Sequence, residues 1–437
     1  MPRYLIQFAQ FHDEFRVPEL ESLAKLEGVD IKYREDEYVF ELWAVGTSYE
    51  DVHASLKKEM DVLTPPYMET SFKFTVKAFG GTLAPAHQLA MINSFAYLGF
   101  RGPIDLVSPK EEFVVIEDYK LDFSRHTLPP HPERVFFGRL VGQANRAVVD
   151  KFDVKKRAYI GNTTMDAELS LVMANQALAR PGTLIYDPFV GTGSFLVTCA
   201  HFGACVMGSD IDGRQLRGKE GKSILSNVEQ YKIHDRYMGT LATDLANHPW
   251  RNDRPLFDAI VTAPYGVRAG AKRLGRKDGK PRPMHLRDGV PAHTHEDYVP
   301  PTRGWEMSEV LESLLDFSAK YLVPGGRLVY WLPTVTDQYT DEDVPLHPAL
   351  RLVSNSNQPF GAWCRRLITM ERTPIPLDQV KEEGIEEKGG EEEGKKEESQ
   401  KKRDVSQLGH GHFREKYFMG AAQRSVTKET RTLGEDK

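Results

Sequence analysis

Thr183-Leu-Ile-Tyr-Asp-Pro-Phe-Val-Gly-Thr-Gly-Ser-Phe-Leu-Val-Thr-Cys-Ala200 decides the fold. Thr183 to Tyr186 is apolar and β-prone and reads as a buried strand. Asp187 to Ser194 is a tight loop around Gly191 and Gly193. Phe195 to Ala200 opens a helix. A loop from the carboxyl end of a parallel strand into a helix is where open α/β sheets bind ligands. Glycine lets the backbone come close to such a ligand without a Cβ clash.

The ligand class follows partly by exclusion. A dinucleotide fold asks for G-x-G-x-x-G, but Leu196 stands where the third glycine would be. A phosphate-binding P-loop asks for Gly-Lys-Ser/Thr, which this loop lacks. What remains is Asp187, an acid ahead of the glycines. A carboxylate there repels pyrophosphate and suits a cation. S-adenosylmethionine, a sulfonium with an ammonium group, is such a ligand.

The next strands repeat the pattern. Ala204-Cys-Val-Met-Gly-Ser-Asp-Ile-Asp212 ends in acid, with Asp210 the first and Asp212 the second candidate to accept from ribose hydroxyls. Gly239-Thr-Leu-Ala-Thr-Asp244 gives a third acidic strand end, and Asp244 could accept from an adenine amino group. Leu256 to Arg268 is a fourth strand and its loop, reading Thr262-Ala-Pro-Tyr265. Enzymes that methylate exocyclic amines carry Asp/Asn/Ser-Pro-Pro-Tyr/Phe here. A ring-conjugated amine is a poor nucleophile, so two acceptors on its N–H groups help, while the aromatic ring stacks on the extruded base. Pro264 and Tyr265 fit. The acid does not: the chain is one residue short, with Ala263 where the acid would stand or Thr262 offering a neutral oxygen.

Upstream of this core, Arg3 to Ala9 and Tyr38 to Ala44 read as strands, and Phe15 to Leu26 and Tyr49 to Leu56 as helices, a small α+β unit. Ser71-Phe-Lys-Phe-Thr-Val-Lys-Ala-Phe79 alternates strictly, placing Lys73, Thr75 and Lys77 on an outer face. Ala84 to Leu98 reads as a helix, and Ile104 to Pro109 and Glu112 to Glu117 as strands. Thr164 is an expected N-cap for a helix running to Leu178. Ser308 to Tyr321 is an amphipathic helix, Pro324 to Pro333 a fifth strand, and Leu350 to Ser354 with Cys364 to Met370 a closing antiparallel pair. From Arg268 to Arg287 eight basic residues face one acid, Asp278, a loop suited to phosphates. Lys381 to Lys402 holds nine Glu and six Lys with one aliphatic residue, so it cannot bury a core.

Composition narrows the rest. The net charge of −6 excludes a polycation, so any nucleic-acid contact is local. The three cysteines lack metal or disulfide spacing, and His285, His293 and His295 lack partners to complete a set; no metal is expected. No secretory leader or membrane-length apolar run is read, and a cytoplasmic protein without membrane association is expected.

Two resemblances build on these residues. The basic strand and the Ile104-Asp-Leu-Val-Ser-Pro109 … Val114-Val-Ile-Glu117 run resemble a THUMP RNA-binding domain preceded by its ferredoxin-like partner. Together with Phe137-Gly-Arg-Leu140, Arg157-Ala-Tyr-Ile-Gly-Asn-Thr-Thr-Met-Asp-Ala-Glu-Leu169, Asp187 to Ser194, Gly208 to Asp212, Pro264 to Arg268 and Phe413-Arg-Glu-Lys-Tyr-Phe418, the chain resembles the family of eukaryotic tRNA (guanine(10)-N2)-methyltransferase catalytic subunits. The fold implied is a Rossmann-like class I methyltransferase domain, α/β, preceded by an α+β ferredoxin-like plus THUMP region. The expected division is 1–60 ferredoxin-like, 61–130 THUMP, 131–158 linker, 159–378 methyltransferase with a basic insertion at 268–304, 379–404 disordered, and 405–437 packing back on the catalytic domain.

The resemblance implies further that Asp187, Phe189, Gly191, Gly193, Asp210, Asp212 and Asp244 hold S-adenosylmethionine. Thr262, Ala263, Pro264 and Tyr265 would form the guanine pocket, with only the Pro264-Tyr265 half matching the family pattern. Lys73, Lys77, Arg268, Lys272 and Arg273 would meet tRNA. The implied partners are tRNA and a small zinc-binding activator subunit that covers an apolar patch of the catalytic domain. The competing reading is a tRNA-binding protein of the same fold whose chemistry is impaired by the missing acid; a DNA or protein amine methyltransferase fits the N-terminal region poorly.

Overall fold

A computed structural model describes residues 6, 8, 12–31, 41–79, 81–119, 129–161, 164–251, 254–264, 271–273, 286–295 and 302–374. Along the chain the elements are α1 (Asp13–Glu27), β1 (Glu41–Gly46), α2 (Tyr49–Leu63), β2 (Phe72–Phe79), α3 (Pro85–Ser94), β3 (Glu111–Asp118) and β4 (Arg134–Arg139). There follow α4 (Ala147–Lys151), α5 (Ala167–Gln176), β5 (Leu184–Asp187), α6 (Ser194–His201), β6 (Cys205–Asp210), α7 (Gly213–Arg217), α8 (Ile224–Tyr231), β7 (Tyr237–Ala242) and β8 (Phe257–Thr262). The last are β9 (Ala271–Arg273), β10 (Leu286–Arg287), β11 (Val290–Pro291), β12 (Thr302–Gly304), α9 (Met307–Tyr321), β13 (Leu322–Val335), β14 (Leu350–Pro359) and β15 (Trp363–Arg372).

These form two units: Met1–Gln10 with Ile31–Asn145, and Phe11–Asp30 with Arg146–Lys437. In the first, one sheet runs β1-β4-β3-β2, with β2 parallel to β3 and the other pairs antiparallel. The alternation of β2 is used as its pattern predicts. Phe72 and Val76 are buried, and Phe74 and Ala78 pack on the same aromatic core as Trp43, Phe95, Phe113 and Phe137. A capping box, Ser48 with Asp51, starts α2.

The structure draws the boundaries differently from the expected ones. The spans 1–60 and 61–130 share one sheet rather than forming two domains, and β4, inside the expected 131–158 linker, is a strand of it. The helix beginning near Phe15 belongs to the second unit, not to an N-terminal domain. Residues Ile104 to Pro109 are not a strand. Asp105 Oδ1 accepts from the Val107 and Ser108 N–H groups, and that local turn competes with ladder pairing, leaving a single bridge from Ile104 to Phe72. The expected strand from Arg3 to Ala9 and the segments after residue 374 lie outside the described residues.

In the second unit a seven-stranded sheet runs β14-β15-β13-β8-β5-β6-β7. β13, β8, β5, β6 and β7 are parallel neighbours and β15 and β14 close the sheet antiparallel, as expected. Fully apolar strands read as sheets covered on both faces. One face carries α1, α5, α6 and α8 through Phe15, Met173, Leu196, Val228 and Trp331; the other carries α9 through Leu311, Leu314, Leu315 and Phe317. Asp166, not Thr164, caps α5, accepting from the Glu168 and Leu169 N–H groups. Helix α1 is fastened by Asn175 Nδ2 donating to Glu19, by Lys25 with Glu371, and by Ser356 Oγ donating to the Glu14 carbonyl.

Candidate active site

The parallel order β8-β5-β6-β7 lines up the carboxyl ends of four strands. Register pairs Asp187 of β5 with Gly208 of β6, and Asp210 of β6 with Ala242 of β7. Asp187, Asp210 and Thr262 therefore close their strands along one edge of the sheet, with Asp244 two residues beyond β7.

The loop from β5 to α6 is pressed onto β6. The Val190 N–H donates to the Ser209 carbonyl at 2.8 Å. A Cβ on Gly208 would stand 2.6 Å from the Val190 side chain, so only glycine admits this approach. Gly193 at φ 83° turns the chain into α6, and a Cβ on Gly191 would meet nothing within 4 Å, leaving that side of the loop open. Phe189 is half-buried and packs toward the α9 face of the core.

The acids have distinct environments. Asp187 is 1% exposed. Its Oδ1 accepts from Thr262 Oγ1 at 2.7 Å and from the Phe189 N–H at 3.0 Å, while its Oδ2 has no hydrogen-bond partner. Burial raises its pKa to about 7 against those two hydrogen bonds, and the charge of Asp210 adds to the rise. Asp210 accepts from the Gly191 N–H on Oδ2 and the Asp212 N–H on Oδ1, both on the loops it would have to organise for a ribose. Burial raises its pKa, partly offset by those N–H bonds.

Three candidates are tied up inside the fold. Asp212 caps α7 through the Arg214 N–H and pairs with the Arg214 guanidinium at 3.0 Å. Asp244 caps the short turn Leu245–Asn247, accepting from the Asn247 N–H at 2.7 Å and from its side chain. Thr262 is fully buried, and its hydroxyl donates to Asp187 instead of facing a base. An acid capping a turn and an acid facing a ligand look the same in sequence. Ala263 is half-buried and Pro264 buried. Tyr265 and Arg268 lie outside the described residues, and Lys272 and Arg273 lie on β9, paired with β12. In the first unit Lys77 is exposed, but Lys73 pairs with Glu112 at 3.1 Å, so its charge is already matched.

Sequence reading missed what holds the site from behind. Asn227 on α8, fully buried, accepts from the Tyr159 N–H and donates to the Tyr159 and Thr192 carbonyls. Thr164 Oγ1 lies 3.1 Å from Thr192 Oγ1, and Tyr159 Oη donates to the Gln215 carbonyl. Tyr159 and Thr164 are thereby each tied to the turn that carries Thr192. The amphipathic spacing of α8 shows an apolar face but not that one asparagine on it would bind backbone. No cluster of metal-ligating side chains occurs among the described residues.

Strand order, closing antiparallel strand and glycine loop define a class I methyltransferase fold, carried behind a separate α+β unit. Comparison with known proteins agrees. The family model "Tmrp11 THUMP N-terminal domain" matches residues 2–38 and 35–146, and "RMKL-like, methyltransferase domain" matches 155–277. The tRNA (guanine(10)-N(2))-methyltransferase of Schizosaccharomyces pombe is 34% identical over 98% of both chains. That of Homo sapiens is 35% identical over 98% of both, and that of Saccharomyces cerevisiae 36% identical over 84% of this chain and 92% of its own. The chain belongs to the tRNA (guanine(10)-N2)-methyltransferase family. Among solved structures, TrmN from Thermus thermophilus covers 81% of this chain and 95% of its own at TM-score 0.35 and 16% identity, too distant to add to that assignment.

Proposed function

We propose that this protein transfers a methyl group from S-adenosylmethionine to N2 of guanosine 10 in tRNA, as the catalytic partner of a small zinc-binding activator, in the cytoplasm. The observation that carries the reading is the row of strand ends: a buried carboxylate with an unmatched oxygen, Asp187, and a second acid, Asp210, flank a glycine loop whose outer side is open. That set suits a cationic adenosyl donor. When bound, the donor supplies an electrophilic methyl group on sulfur. The chain's own residues do the rest. Asp187 places negative charge below the loop, Asp210 offers acceptors toward the ribose, and Gly191 keeps side chains out of the crevice. Pro264 follows β8, and Tyr265, next in sequence, is the aromatic residue suited to stacking on an extruded base.

The exposed Lys77 supports a role for the first unit in holding RNA phosphates. What supports an activator partner is β7. It is the outermost strand of its sheet and exposes Met238 and Leu241. Among the described residues no strand pairs with its outer edge, and an unpaired, partly apolar edge is a template for pairing with another chain.

A specific observation favours a second reading. The acid of the family motif is missing, and the neighbouring hydroxyl, Thr262, is turned to Asp187. A protein built this way would bind donor and tRNA yet turn over slowly. Transfer of isotopically labelled methyl from donor to unmodified tRNA, with activator present, tests the proposal. Transfer supports it. No transfer, restored by rebuilding Asp-Pro-Pro-Tyr, supports the second reading. Transfer to duplex DNA and not to tRNA refutes both.

A further inference from the structure

Arg157, two residues before Tyr159, is 5% exposed. Its Nη1 donates to Ser194 Oγ at 2.9 Å. Its Nε and Nη2 are buried without a hydrogen-bond partner, and no carboxylate pairs with it among the described residues. An unmatched buried guanidinium is destabilising, and an orphaned buried donor in a native protein calls for an explanation. Ser194 is the first residue of α6. The N-cap of that helix, Gly193, has no side chain to accept from the first-turn N–H groups. Ser194 Oγ meanwhile accepts from the Met165 N–H at 3.3 Å, which holds it in place. A guanidinium with two free donors thus converges on an uncapped helix N-terminus, both of which favour an anion.

The same turn, Gly191 to Ser194, borders the site argued above to take the adenosyl donor. That donor ends in an amino acid, whose α-carboxylate is its one anionic group. We propose that Arg157, with Ser194 and the first turn of α6, receives the α-carboxylate of the cofactor's amino-acid end. The inference rests on the donor reading of the site. It makes Arg157 a residue that selects cofactors carrying the amino-acid moiety over truncated nucleosides.

Calorimetry on the full chain with two ligands tests this. S-adenosylhomocysteine has the carboxylate; methylthioadenosine has the same adenosine and sulfur without it. Wild-type protein is expected to prefer the former. Arg157→Gln should weaken S-adenosylhomocysteine by roughly tenfold or more and leave methylthioadenosine within about twofold. Equal losses for both ligands, or none for either, would overturn the assignment. Should Arg157→Gln fail to fold, the wild-type protein is titrated with the carboxamide of S-adenosylhomocysteine. Binding as tight as that of the acid overturns the proposal; a loss of similar size upholds it. Wild-type protein that binds neither ligand would remove the donor reading itself, and this one with it.

Discussion

Asp187 titrates near neutrality because it is buried with one oxygen unmatched. A cationic donor favours its ionised form, so below pH 7 binding must expel a proton. S-adenosylmethionine affinity, measured by calorimetry, should be about tenfold weaker at pH 6 than at pH 8. Asp187→Asn should flatten that dependence, and S-adenosylhomocysteine, whose sulfur is neutral, should show less of it. The same raised pKa has a stability consequence of opposite sign. The folded state holds the proton more tightly than the unfolded chain, so the contribution of Asp187 is greatest below about pH 4 and is lost as pH rises toward 7. Thermal unfolding of Asp187→Asn should therefore gain most over wild type at pH 8, not at pH 5. Among the basic residues, Lys77→Ala should lower the salt dependence of tRNA binding by about one unit of slope, and Lys73→Ala by less, because Glu112 already neutralises it.

At the scale of elements, the core loop was legible because its residue types are each constrained. Gly208 and Gly193 have structural reasons no other residue meets, and Gly208→Ala should destabilise the second unit by about 1–3 kcal/mol through Val190, read by denaturant unfolding. The alternation of β2 and the closing pair β14–β15 were legible for the same reason: a two-residue period has one interpretation. The allegiance of α1 was not. Its apolar residues say that one face is covered, not by what. Phe15, 2% exposed, sits 5.9 Å from the Trp331 ring in the second unit, so Phe15→Ala should cost about 3–5 kcal/mol there and leave the cooperative melting of the first unit in place. Nor was the division of labour among acids legible. Asp210, Asp212 and Asp244 share a sequence context, and only the folded structure separates a carboxylate bonded to the glycine loop from two that cap turns.

For the whole molecule, the chain gives α1 to the second unit, leaves it at residue 31 to build the first, and returns at residue 146. With residues 1–10 also in the first unit, the chain passes between the two units three times, which no composition shift reveals. The family membership and the acidic strand ends point to the same chemistry, and the departure at Thr262-Ala-Pro-Tyr265 is where they part. The most direct measurement is mass spectrometry of nuclease fragments from tRNA incubated with the full chain, the proposed activator and methyl-deuterated S-adenosylmethionine. A deuterated N2-methylguanosine at position 10 is predicted. Unmodified guanosine there, with donor binding demonstrated in the same sample, would contradict the assignment of this site to methyl transfer.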